Sequence, residues 1–288
     1  MNASARSLSV DAHEALYFFC LARSTPWTAE HAGMSGNGLH VLSLGNVIGD
    51  AASVPICAVV DIVERAAWTG PEASDNMQSL EWVGTRATLH EEVVEQAMQH
   101  GPVYPARFGT LYSSFDRLVD TAHAHRSELS AFMERVSHAD EWALKMFVDR
   151  DRAATHLSAK EQQAPPTSGT AYLKQKQREK EARSAVDTWL QEVSDALYDR
   201  LQNAGIREIE VLDPRRAVLA SPDETLALNW ALLVGRSDQS ALREVIQQTE
   251  RTHADHGLSF RLTGPWPPYT FRPLMSQRDE SASPRDAA

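Results

Sequence analysis

Trp142-Ala143-Leu144-Lys145-Met146-Phe147-Val148-Asp149 sets Trp142, Leu144, Met146 and Val148 against Ala143, Lys145, Phe147 and Asp149. Successive side chains of a strand point to opposite faces, so the stretch predicts a strand with one face buried. Downstream, Leu226, Leu228, Trp230, Leu232 and Val234 repeat the alternation, and Ile209 and Val211 alternate with Glu208 and Glu210. Both read as half-buried strands. Upstream, Ala15 to Leu21, Leu39 to Leu44 and Ile56 to Val63 are short aliphatic or aromatic runs separated by turn-forming residues, which predicts three more. Val103 to Phe108 and Leu258 to Leu262 complete the strands.

Helices fill the intervals. Leu80, Val83, Val93, Val94, Ala97 and Met98 mostly recur on one face and end at Gly101-Pro102. Ser113 or Ser114 can cap a region in which Phe115, Leu118, Val119, Leu129, Phe132, Met133 and Val136 carry the apolar spacing. Val186, Trp189, Leu190, Val193, Ala196, Leu197 and Leu201 mark a long amphipathic helix stopping before Gly205, and another is expected from Ser240 to His256. Asp151 to Thr170 is polar, contains Pro165-Pro166 and has no apolar pattern, so the domain junction is expected there. The reading is an α+β protein of two domains, with mainly antiparallel sheets covered by helices. It comprises an N-terminal ferredoxin-like domain over 13–150, a linker over 151–170, a C-terminal α+β domain over 171–275 and a disordered tail over 276–288. Residues 1–12, polar and small, are also expected to be disordered, and no repeat of short fixed period is found.

At 288 residues and 42% hydrophobic, the chain can bury substantial cores. Its net charge of −11 argues against nucleic acid as a partner, because affinity there comes largely from Lys and Arg neutralising phosphates. Cys20 and Cys57 are the two cysteines, each in an apolar strand-like run, which fits reduced core thiols and a cytosolic setting. Ala15 to Ala22 imitates the apolar part of an export signal, but Asp11 and Glu14 offset Arg6 before it. No run reaches the roughly 20 apolar residues that cross a bilayer. A soluble, intracellular protein is expected, without membrane contact.

Motifs for chemistry mostly fail. His90-Glu91-Glu92-Val93-Val94 begins like a zinc-protease helix but has valine where the second imidazole is required. An exposed helix face is the expectation. His253 and His256 could share a metal, with Asp255 on a different face, yet two ligands do not close a site. His123 and His125 point in different directions on a helix and are expected at the surface. Gly33-Met34-Ser35-Gly36-Asn37-Gly38 lacks the Gly-Lys-Ser/Thr ending of a phosphate loop and has Asn37 where a serine elbow needs glycine, so a flexible loop is expected. Lys174, Lys176, Arg178, Lys180 and Arg183, interleaved with Glu179 and Glu181, read as a solvated helical face. Arg107 interrupts an apolar segment; if buried it needs a carboxylate such as Glu81, Glu92 or Glu141. No cofactor and no small-molecule substrate are expected.

Gly264-Pro265-Trp266-Pro267-Pro268-Tyr269-Thr270-Phe271 concentrates three prolines and three aromatics. Proline fixes φ and removes a donor, so helix and most sheet pairing are excluded and a stiff docking segment is expected, serving as a clamp within the molecule. His90-Glu91, then Val103-Tyr104-Pro105-Ala106-Arg107-Phe108-Gly109-Thr110, then Glu141-Trp142-Ala143-Leu144-Lys145, then Gly257-Leu258 and this octapeptide fall in one order. With Tyr172-Leu173 and the basic helix after it, the sequence resembles the gas vesicle protein F/L (GvpF/GvpL) family from about Leu16 to Phe271. Tyr104 and Ala106 depart mildly from its middle strand.

The resemblance implies a two-domain α+β protein, not an enzyme, working in gas vesicle assembly or as a minor vesicle component. Its partners would be the hydrophobic shell subunit and other accessory proteins, its location the cytoplasm and the gas vesicle. The motif residues Arg107, Phe108, Gly109, Trp142, Gly264, Pro265, Trp266, Pro267, Pro268, Tyr269 and Phe271 are the candidate contacts. The competing reading is a ferredoxin-like, metal-dependent enzyme acting on a small molecule, resting on His253, His256 and the glycine loop. F-type and L-type roles stay open.

Overall fold

The apolar run near the start of the chain becomes β1 (Glu14–Arg23), whose side chains are buried on both faces from Ala15 to Leu21. The computed structural model describes residues 10–23, 33–44, 55–158, 170–213 and 225–275. They form two compact units: the first holds the described residues up to His138 and again from Pro267, and the second is Ala139–Trp266.

In the first unit β1 pairs antiparallel with β3 (Ile56–Glu64) on one side and with β4 (Val103–Pro105) and β5 (Leu111–Tyr112) on the other. With β2 (His40–Ser43) the order is β2-β3-β1-β4. A bulge between Phe18 and Cys20 shifts the register of β1. Such a bulge lets Phe19 and Cys20, neighbours in sequence, both join one apolar cluster with Tyr17 and Ala22. Helix α1 (Pro71–Gln78) precedes α2 (Leu80–Met98), which is capped by the Ser79 side chain accepting from Trp82 N and packs Val93, Val94 and Ala97 into that cluster. Ser114, through its hydroxyl, caps α3 (Phe115–Ala124), and α4 (Arg126–Arg135) brings Phe132 edge-on to Tyr104. Both cysteines are buried free thiols.

In the second unit β6 (Ala139–Val148) lies between β8 (Thr225–Gly235) and β9 (Leu258–Trp266), with β7 (Glu208–Val211) beyond β8, all antiparallel. Helices α5 (Arg150–Ser158), α6 (Thr170–Asn203) and α7 (Gln239–His253) contribute to one core, in which Ala153, Leu197 and Leu242 meet Trp142, Leu144 and Leu232. Asp140 accepts from the Arg236 guanidinium and from Gln239 Nε2, so its buried charge is paired.

Three expectations are corrected. The strand around Trp142, assigned by sequence to the N-terminal domain, is central in the second sheet, because alternation reports a buried face but not a pairing partner. The supposed linker begins as helix α5, with Ala153 fully buried; the polar residues over 151–158 include a solvated helix face. The strand predicted over Val103 to Phe108 ends at Pro105. Both termini and residues 159–169 lie outside the described residues.

The two sheets share one order. Among the described residues the second unit runs β6-α5-α6-β7-β8-α7-β9, a succession similar to the β-α-β-β-α-β of a ferredoxin-like module. In the first, for which that module was expected, the stretch between β1 and β2 includes residues outside those described, and β3-α2-β4 closes around β1. Among the described residues no helix is long and apolar enough to cross a membrane.

Candidate functional site

Within each unit, motifs that read separately in sequence meet in space. His90 lies on the stripe of α2 that also carries Val93, Val94 and Ala97, and is only 3% exposed, against the expected exposed face. Its Nδ1 is 2.9 Å from Tyr17 Oη and its Nε2 3.3 Å from the Ala106 carbonyl oxygen. Gly109 N donates to the same Tyr17 oxygen at 3.2 Å. One arrangement of protons satisfies every group: Gly109 N–H to Tyr17, Tyr17 O–H to Nδ1, and Nε2–H to Ala106. His90 is therefore neutral, and burial, ahead of the Arg272 charge, lowers its pKa to about 4. Burial likewise raises the Tyr17 pKa. The His90 ring stacks on Phe19 at 5.5 Å, and Phe108 meets Tyr17, Trp68 and His90.

Arg107-Phe108-Gly109 is thus a turn closed by Thr110 N donating to the Arg107 carbonyl, with Phe108 inward and Arg107 outward. Arg107 is exposed, and among the described residues it has no ion pair with Glu81, Glu92, Glu141 or any other carboxylate. The expectation of a buried guanidinium fails because the strand stops two residues earlier, and the turn after it frees residue 107 from the sheet.

In the second unit Trp142 is 2% exposed, with the Arg243 guanidinium 4.7 Å from its ring centre. Gly264, at φ +138°, passes so close that a Cβ there would lie 2.9 Å from the Glu141 carbonyl oxygen and 3.1 Å from the Trp142 ring. Glycine permits this approach. Gly264, Pro265 and Trp266 continue β9, where Trp266 pairs with Glu141, against the expectation that the prolines preclude sheet pairing. β9 is an edge strand, where a missing donor is tolerated.

The octapeptide is therefore divided. Trp266 ends the second unit at 37% exposure, with Nε1 donating to Thr263 Oγ1. From Pro267 the chain belongs to the first unit, and Pro267 and Pro268 are buried. Tyr269 packs on the α2 cluster, its ring 6.4 Å from His90. Its hydroxyl is buried beside the Glu91 carboxylate without a hydrogen bond of standard geometry, and burial, then the Glu91 charge, raises its pKa. Burial also raises that of Glu91, against the opposing pull of Tyr269. The Phe271 carbonyl accepts from Arg135 of α4, and the Pro273 carbonyl accepts from Tyr104 Oη at 2.8 Å. Tyr104 belongs to β4, an edge strand of the first sheet.

The pair of histidines considered as metal ligands lies in an aromatic cluster. His253 and His256 join His156, which the sequence did not single out, and Trp189, read there only as an apolar helix position. The His156 and His256 rings stack at 3.4 Å, and among the described residues no group of three or more His, Cys, Asp or Glu is arranged to hold a metal ion. His253 has a lowered pKa, first through burial and then through His256, Arg200 and His156. The glycine loop is pinned: Ser35 N and Oγ both donate to Asp61, at 2.8 and 2.9 Å. His123 is exposed, and His125 binds Glu128 at 2.7 Å. The side chains of Lys174 to Lys180 lie outside the described residues.

Chemically, the His90 network has both ring nitrogens engaged and little solvent access, which suits it to fixing a turn against a helix. Residues 15–273 match the family described as gas vesicle synthesis protein GvpL/GvpF. Gas vesicle protein L1 of Halobacterium salinarum is 26% identical over 278 residues, covering 89% of this chain and 90% of that protein. Gas vesicle protein L of a Streptomyces species is 24% identical over 251 residues, covering 85% and 87%. The crystal structure of GvpF from Anabaena sp. PCC7120 superimposes with a TM-score of 0.58 at 18% identity, covering 91% of this chain and 97% of that one. GvpF from Microcystis aeruginosa gives 0.57 at 16%, covering 90% and 99%. Both share the two-sheet α+β fold, and with its family profile spanning both units this chain belongs to the gas vesicle GvpL/GvpF family.

Proposed function

We propose that the protein acts in gas vesicle assembly through protein–protein contacts. It binds the hydrophobic shell subunit and other accessory proteins, in the cytoplasm and at the vesicle, and limits aggregation or aids nucleation. The observation that carries this reading is the family match over residues 15–273, which spans both units. A subunit that keeps water out of a gas-filled shell exposes apolar surface before assembly and aggregates unless that surface is covered. An acidic chain of net charge −11 repels copies of itself and so keeps such a complex dispersed. Support also comes from the motif residues His90, Phe108, Gly109 and Gly264, which here fasten turns and strands. No observation favours the metal-dependent enzyme.

The test is co-expression with a shell subunit, followed by size-exclusion chromatography. The two are expected to co-elute, with the subunit soluble. Separate elution, with the subunit aggregating at the same rate whether or not this protein is present, would sink the reading.

A further inference from the structure

The first unit carries a cavity of about 100 Å³ beside β4, whose walls include Phe18, Tyr104, Tyr112, Arg107, Arg272 and Leu274. Two guanidinium groups face one small space in a chain with 39 acidic and 28 basic residues. Among the described residues neither arginine is ion-paired, and no carboxylate lines the cavity. Arg272 is held in place: Nη1 donates to Tyr104 Oη at 3.4 Å, and the guanidinium lies 5.7 Å from the Tyr104 ring centre. Tyr104 is itself fixed by donating to Pro273. Among the described residues Arg272 Nε is buried without a partner. The unsatisfied Arg272 donor is costly until an acceptor reaches it, and the exposed Arg107 beside it favours an acceptor that is an anion.

We propose that Arg107 and Arg272 form a binding site for the carboxylate of an aspartate or glutamate side chain on a partner protein. A planar fork of donors matches a carboxylate, and the volume admits that group with its methylenes. Leu274, 66% exposed at the rim, contacts an apolar residue beside the acidic one. The site gives the assembly role one defined contact and rests on that reading only for who the partner is.

The test is NMR titration of the full-length protein with acetyl-Leu-Glu-Leu-amide, acetyl-Leu-Gln-Leu-amide and inorganic phosphate, following the arginine Nε–H signals. The glutamate peptide is expected to shift Arg107 and Arg272, and to bind about tenfold more weakly as its glutamine form or to Arg107→Met. Because Arg107 is exposed, Arg107→Met is expected to leave the unfolding midpoint unchanged, so lost binding is not lost folding. Equal shifts from both peptides, no shifts, or tighter binding of phosphate would overturn the proposal. So would binding seen only in Asp279→Asn/Glu280→Gln/Asp286→Asn, since the chain's own tail would then be the occupant. Co-elution with shell subunit despite such a result would leave the assembly role standing without this site.

Discussion

A neutral histidine in a hydrogen-bonded core makes stability depend on pH in a defined direction. Unfolded, His90 binds a proton near 6.5; folded, it does so only at about 4. Between those values the unfolded state holds more protons, so lowering the pH favours unfolding, and the stability present above 6.5 is lost as the pH falls toward 4. At pH 5 the loss relative to pH 7 is about 2 kcal/mol from this residue. His253, also lowered, acts in the same direction. Urea unfolding at both pH values is expected to show a smaller difference in His90→Gln than in the wild type; equal differences would refute the neutral, buried state. The sequence held a clue to this burial that the motif reading passed over. His90 stands three, four and seven residues before Val93, Val94 and Ala97, on the apolar stripe of the helix. Tyr17 was legible only as part of an apolar run, because its hydroxyl partners come from residues 90 and 109, far along the chain.

Among the elements, the join between α7 and β9 is the most exacting. A 3-10 turn, Ala254–His256, leads into Gly257 at φ +88°, where a Cβ would lie 2.8 Å from the Asp149 carbonyl oxygen. Asp149 N also donates to the Gly257 carbonyl at 2.8 Å, so the two backbones cannot separate cheaply. Gly257→Ala is expected to cost about 2 kcal/mol or more, from the left-handed backbone and the forced shift together. Chemical denaturation measures this, and a loss below about 0.5 kcal/mol, within the usual range for surface substitutions, would show that the join yields freely. Strands and helices were well read at this scale: short apolar runs located β1, β2 and β3, alternation located β6, β7 and β8, and apolar periodicity located α2 and α6. Reading failed at β4 and β9, where proline and glycine near a strand end gave the wrong stopping points. Proline precludes a donated hydrogen bond but not an edge position, and which strands become edges is settled by the sheet.

For the whole molecule, the consequence of the divided octapeptide is that the first unit is completed by the end of the described chain. Tyr269→Ala removes a ring packed on the α2 cluster and is expected to destabilise the first unit by about 2 kcal/mol, less than a fully buried aromatic would cost. Hydrogen exchange separates the units: the Val93 amide is expected to lose protection while that of Leu232 keeps it. Loss at Leu232 with Val93 unchanged would contradict the assignment. From sequence alone came the α+β class, the two-part organisation, most elements and, through Arg107-Phe108-Gly109 and the closing octapeptide, the family. These follow from local period and residue type, which the chain carries at every position. Tertiary structure alone decided that the Trp142 strand belongs to the second sheet, that the chain returns to the first unit at Pro267, and that His90, Tyr17 and Gly109 share protons. The physical reason is common to all three: alternation says that a face is buried, whereas the partner that buries it lies tens of residues away and is chosen only when the sheets close.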